Sequence, residues 1–329
     1  MTEMAEAGKS DLLELTNEQL NHYTAGFSEE NFLGQTMFGM LFRGKIINVP
    51  EVGQTKEVIV KIWKNQKSLY IDGIDKCSRL KDEVRVLQQP RMRSHPNLVN
   101  LIGYSDQEEP LGVVYDLNPR DILQNLLVQD DFGWLQRIKV ALGFARLLEF
   151  LTDNGAEYLV RKIDATQVMI DQDYNPLLFE FVPLSDGVVS DMSSLWKRRL
   201  RGAVLRQSSN AGSETCLDCD VYGYGVILVS LIAKRVADKE RPGETSVDLW
   251  AREAYMPKKS FLTRKPQGSL VNATFENDPN FDKRDGPKIT DLAMRCIQWD
   301  KPPNMKEVVQ RLEGLHVAKD HSEALAFNS

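Results

Sequence analysis

The run from Cys219 to Ala233 is almost wholly apolar, and it constrains the fold more than any other stretch of the chain. As a helix it shows hydrocarbon on every side, so it has to be buried all round. Its most apolar part, Val226 to Ala233, is far too short to cross a bilayer, which takes about 20 residues. Trp134 to Leu151 reads as another helix, with Ile138, Ala141, Leu142, Ala145, Leu148 and Phe150 spaced for a broad buried face. Ile289 to Trp299 and Met305 to Leu315 close the fold.

The first third of the chain has a different texture. Met37 to Arg43 and Lys45 to Val49 are short apolar runs flanking Gly44, and Glu57 to Trp63 is rich in β-branched residues. Leu98 to Tyr104 and Gly112 to Leu117 complete a set of predicted strands. Among them, Lys81 to Gln88 has helical spacing, with Leu80, Val84 and Leu87 on one face. Ahead of them, residues 1–15 read as a mobile acidic leader. Thr16-Asn17-Glu18-Gln19 reads as a capping box opening a short helix. Asn118-Pro119-Arg120 breaks the pattern and reads as a hinge. Beyond it, Val168 to Ile170 and Leu177 to Phe181 are predicted strands separated by the turn Asp173-Tyr174-Asn175-Pro176.

Composition narrows the function classes. The chain has 329 residues, 42% of them hydrophobic, which is ample for a sizeable core. Lys and Arg total 41 against 47 Asp and Glu, a formal charge of −6. Nucleic-acid binders carry a basic excess instead, so no nucleic-acid partner is expected. The cysteines are Cys77, Cys216, Cys219 and Cys296. That is too few for a disulfide framework in a chain this long, and a reducing compartment is expected. Cys216 and Cys219 form a C-x-x-C, but His22, His95, His316 and His321 add no second ligand pair at zinc spacing. The start, Met1-Thr2-Glu3-Met4, lacks an apolar signal core, and Thr2 stands where N-myristoylation needs glycine. A soluble cytoplasmic protein with no direct membrane insertion is the expectation.

Several motifs follow one another in order. Leu33 to Leu41 reads L-G-Q-T-M-F-G-M-L, and Val58 to Lys61 reads V-I-V-K. Glu83 lies in the predicted helix after them. His95 to Tyr104, Val113 to Asp116, Asp220 to Val226 and Met305 to Glu313 complete the series. Together they resemble the plant receptor-like kinases and their cytoplasmic relatives, from about Phe27 to Leu315. No motif is decisive alone; the order and spacing of all of them carry the resemblance. It implies an α+β fold of two lobes: a small β-rich lobe with one main helix over 27–117, and a larger helical lobe over 118–316. Residues 1–26 form an N-terminal extension with a short helix, and 317–329 a tail.

The resemblance also assigns positions, and many depart from the family's pattern. In the family the middle glycine of the first loop lets main-chain amides approach phosphates; here Gly34 and Gly39 flank Thr36, which is β-branched. The small residue that packs on adenine corresponds to Ile59, three carbons larger than alanine. Tyr115 completes this altered nucleotide pocket. Lys61 and Glu83 match the phosphate-binding lysine and its glutamate. They serve either as a structural ion pair or as a retained phosphate contact. The catalytic loop corresponds to Val160 to Gln167. Arg161 is kept, but Lys162 stands at the proton acceptor, Asp164 at the lysine and Gln167 at the asparagine that holds magnesium. An ordinary lysine is protonated at neutral pH and accepts no proton. Asp164 and Lys162 have either exchanged roles or formed a surface ion pair. The metal-binding triplet corresponds to Glu180-Phe181-Val182. Both Glu180 and Gln167 are one methylene longer than the ligands magnesium's octahedral geometry is built around, so no metal is expected. The A-P-E that ends an activation segment is missing, and Pro302 stands where its arginine partner is found.

Three readings follow. The first is a pseudokinase, not an enzyme, that acts as an adaptor or scaffold for an active receptor-like kinase or immune receptor. It binds ATP weakly if at all, and a partner recruits it to the plasma membrane. The second is a slow, unconventional serine/threonine kinase using Lys61, Asp164 and Glu180. The third is an ATP-sensing switch without transfer. Ser193 and Ser194, beside Lys197, Arg198, Arg199 and Arg201, are candidate phosphosites whose phosphates the arginines bind, or else part of a solvated loop.

Overall fold

A computed structural model describes residues 12–36, 39–47, 55–63, 76–152, 163–179, 217–236, 246–255, 268–298 and 302–325. The chain divides into two units, Met1–Asn118 and Pro119–Ser329. Each has its own architecture.

The first unit is built on a six-stranded sheet. Its strands are β1 (Leu13–Glu14), β2 (Phe32–Gln35), β3 (Met40–Ile46), β4 (Lys56–Ile62), β5 (Leu101–Ser105) and β6 (Gly112–Tyr115). They lie in the order β1-β5-β6-β4-β3-β2, antiparallel except where β1 runs parallel to β5. Strand β4 shows why the sheet is covered on both sides. Side chains alternate along a strand: Val58, Val60 and Ile62 face a core of Leu15, Leu20, Phe42 and Val114, while Ile59 and Lys61 face the other way, and all five are buried. Helix α1 (Asn17–Tyr23) precedes the antiparallel strands, and α2 (Lys76–Leu87) and α3 (Pro90–Arg93) follow β4.

Residues 13–15, expected to belong to a mobile leader, are fixed on the sheet. Leu13 and Glu14 pair with Gly103 and Tyr104, and the Leu15 amide donates to the Tyr104 carbonyl at 2.8 Å. The capping box of α1 is present: Thr16 Oγ1 accepts from the Gln19 amide at 3.2 Å, and Gln19 Oε1 accepts from the Thr16 amide at 2.8 Å. Leu15 and Leu20 flank that cap at the positions of a hydrophobic staple, and both enter the core. Three glycines make room for this segment. A Cβ on Gly103 would lie 2.4 Å from the Leu13 carbonyl oxygen, one on Gly112 2.6 Å from Leu20 Cδ1, and one on Gly44 3.2 Å from the Tyr23 carbonyl oxygen. Gly44 therefore lies within a single continuous β3, not between two runs.

The second unit is mainly helical. A small sheet of β7 (Asp121–Ile122), β8 (Val168–Ile170) and β9 (Pro176–Leu178) accompanies α4 (Leu123–Leu126) and α5 (Trp134–Thr152). The apolar run forms α6 (Leu217–Ala233), followed by α7 (Val247–Tyr255), α8 (Asp285–Cys296), α9 (Met305–Glu313) and α10 (His316–Asp320). Val221, Tyr224, Ile227, Leu228, Val229, Leu231 and Ile232 of α6 are all buried. Gly225 lets α8 approach, because a Cβ there would meet Cys296 Cβ at 2.6 Å. Arg137 of α5 is fully buried and donates to the carbonyls of Phe132, Leu231, Leu127 and Gln129. Among the described residues no helix is long and apolar enough to cross a membrane.

Candidate functional site

In the first unit, β4 and α2 bring three polar side chains together in an apolar setting. Lys61 is fully buried, and its Nζ lies 2.8 Å from Glu83 Oε2, with the Glu83 side chain 4% exposed. Strand β6 places Tyr115 directly opposite Ile59, and the Tyr115 hydroxyl donates to the other carboxylate oxygen of Glu83. Lys61 Nζ also lies 4.4 Å from the centre of the Trp63 ring. Charges this far from water persist only when paired and hydrogen-bonded. The array meets that condition for Glu83 with a cation on one oxygen and a hydroxyl on the other.

The neighbouring positions are closed. Ile59 is 1% exposed, between Arg43 on β3 and Tyr115 on β6. Gly34 pairs with Leu41 in the β2–β3 hairpin. Thr36 fastens its turn: its amide donates to the Gly39 carbonyl at 2.9 Å, and its Oγ1 accepts from the Gly39 amide at 3.0 Å. Thr36 does so without a left-handed backbone, so its β-branch closes the loop and strains nothing. A Cβ on Gly39 would lie 2.5 Å from the Ile62 carbonyl oxygen, so only glycine fits there. Met37 and Phe38 are outside the described residues.

The second unit holds the altered catalytic loop. Arg161, Lys162, Glu180, Phe181, Val182, Ser193 and Ser194 lie outside the described residues, as does Cys216. Asp164 and Gln167 are described, and they form a capping box on the short 3-10 turn Ala165–Gln167. Asp164 Oδ1 accepts from the Thr166 amide at 2.8 Å, and Gln167 Oε1 accepts from the Asp164 amide at 2.8 Å. Asp164 is exposed, and Gln167 is fully buried. The Gln167 Nε2 is buried with no hydrogen-bond partner among the described residues. A magnesium ion takes oxygen ligands. Gln167 already accepts one main-chain N–H on its oxygen, and the rest of its amide is a donor. Gly223 lets α6 approach the loop, since a Cβ there would lie 3.0 Å from the Ile163 carbonyl oxygen. Asp220, one turn earlier, is 1% exposed.

Two features were missed in reading the sequence. Asp164-x-x-Gln167 has the spacing of a capping box, a signal overlooked because both positions had been assigned by resemblance. Trp63 follows Lys61 by two residues, so the strand period alone puts both on one face.

Comparison with known proteins bears on both units. The profile described as protein tyrosine and serine/threonine kinase matches residues 27–280. A probable serine/threonine-protein kinase of Arabidopsis thaliana, PBL11, is 30% identical, with 95% of this chain and 80% of that protein aligned. The rice (Oryza sativa subsp. japonica) receptor-like cytoplasmic kinase 176 is 30% identical over the same shares. The cotton (Gossypium barbadense) EPD1-interacting receptor-like cytoplasmic serine/threonine-protein kinase 5D is 31% identical, with 93% of this chain and 65% of that protein aligned. Among solved structures, an apo pseudokinase superposes with a TM-score of 0.60 at 20% identity, covering 98% of this chain and 96% of its own. At that identity the likeness speaks for the fold alone. These relatives correct the expectation of a chain that is not an enzyme. Proteins named as serine/threonine kinases match it over about 95% of its length.

Proposed function

Since this chain belongs to the protein kinase family, in its receptor-like cytoplasmic branch, we propose that it is a signalling protein that docks on a receptor-like kinase or immune receptor and transfers phosphate from ATP slowly. The observation that supports transfer is the Lys61–Glu83 pair, formed and fully buried at 2.8 Å. Removing a cation from water at that cost is explained by a phosphate contact more simply than by helix attachment, which an apolar pair provides as well. Asp164 is the candidate proton acceptor. One oxygen caps Thr166, and the residue is exposed to water. A base displaced from the usual position forfeits part of the roughly 10²–10⁴-fold that general-base catalysis supplies, hence slow turnover. ATP binds weakly, because Ile59 and the fastened Thr36 turn narrow its entry.

The adaptor role is supported by what the chain lacks at substrate positions: no A-P-E, and proline at 302. A partner then contributes substrate or is itself the target. The protein works in the cytoplasm and reaches the plasma membrane through that partner. Melting curves with millimolar ATP, with and without magnesium, test nucleotide binding, since a ligand selective for the folded state raises the transition. The wild-type protein is expected to shift slightly, Ile59→Ala more, and Lys61→Met not at all. No shift for either wild type or Ile59→Ala would remove ATP from the account.

A further inference from the structure

Trp63 plays no part in the reading so far, yet it touches the centre of the site. Its amide donates to the Leu111 carbonyl at 2.9 Å, one step past the last β4–β6 ladder pair, which anchors the root of the side chain. The residue is 2% exposed. Lys61 Nζ stands 4.4 Å from its centre, inside the roughly 6 Å over which an aromatic face attracts a cation. The ammonium thus has a carboxylate oxygen at 2.8 Å and a π face at 4.4 Å, with none of its side chain open to water.

The indole carries a penalty. Its Nε1–H is buried and has no hydrogen-bond partner among the described residues, and an unmade hydrogen bond of this kind costs stability. A smaller apolar side chain such as leucine would avoid it. What leucine lacks is the negative ring face, and that face lies against the one buried ammonium of the array.

We propose that Trp63 is a positioning residue for Lys61: its ring holds the ammonium on Glu83 and shields it from solvent, and so sets how readily Lys61 engages a phosphate. The last clause rests on Lys61 being the phosphate-binding group, as read above; the positioning itself does not.

The test uses the full chain and two variants. Trp63→Phe keeps a ring face and drops the unpaired N–H, whereas Trp63→Leu drops both. Each protein is treated with trinitrobenzenesulfonate, and the modification rate of Lys61 is read by mass spectrometry against exposed Lys306. Melting curves taken in parallel identify any variant that has unfolded. Lys61 should be modified equally slowly in wild type and Trp63→Phe, and about tenfold faster in Trp63→Leu, the loss expected of a desolvated cation–π contact. The ATP-induced melting shift should change in Trp63→Leu and not in Trp63→Phe. If ATP shifts none of the three while the labelling ratio holds, the positioning stands and the phosphate reading falls. If Trp63→Leu labels Lys61 at the wild-type rate, or Trp63→Phe labels as fast as Trp63→Leu, the proposal is overturned.

Discussion

Lys61, Glu83 and Tyr115 form an array whose members depend on one another. Glu83→Ala leaves a buried ammonium without its carboxylate and should cost about 3–5 kcal/mol. Lys61→Met combined with Glu83→Leu removes both charges and should recover most of it; urea unfolding of the three proteins checks this. The Lys61–Glu83 pairing is readable from the order of the motifs. The Tyr115 hydroxyl on Glu83 is not, because a contact spanning 32 residues depends on which strands become neighbours. Asp164 has two jobs that two substitutions separate. Asparagine still caps the Thr166 amide but is no base, so Asp164→Asn should keep the melting temperature and lose phosphate transfer. Asp164→Ala should lose transfer and about 1 kcal/mol of stability as well.

Among the elements, β1 and α1 form a strap fitted to glycines of β3, β5 and β6. Gly103→Ala puts a Cβ against the Leu13 carbonyl and should cost about 1–3 kcal/mol, with faster proteolysis near Leu13 as the local sign. The turn between α3 and β5 carries a pH-sensitive group. His95 Nδ1 accepts from the Asn97 amide at 3.1 Å. Burial, and secondarily the Arg91 charge, push the His95 imidazole down to about 4 from its ordinary 6.5. The folded state therefore prefers neutral His95, and the unfolded chain binds the proton first. Its contribution to stability is complete above pH 6.5 and is lost as the pH falls toward about 4. Stability measured across that window should slope less in His95→Gln. Most of these elements follow from local patterns: the Thr16 capping box, the β-branched run of β4, and the wide apolar face of α5. The strap was misread because two residues of strand are too few for any periodicity. Only the Leu15–Leu20 staple around the cap marks it in the chain.

For the molecule as a whole, a β-rich unit followed by a helical one was legible from texture alone, since the change at Asn118-Pro119-Arg120 divides runs of period two from runs of period 3.6. The all-apolar α6 was legible as a helix buried on all sides. Activity was less legible. Substituted loop residues report which groups are present, but not what the frame still holds in place, and the formed Lys61–Glu83 pair belongs to that frame. The decisive measurement is transfer of radiolabelled γ-phosphate from ATP, by purified protein free of other kinases, to itself and to the cytoplasmic domain of a receptor-like kinase made inactive by mutation. Slow incorporation that disappears in both Lys61→Met and Asp164→Asn is the predicted result. No incorporation above the background of Lys61→Met, or incorporation that Asp164→Asn leaves untouched, would contradict it.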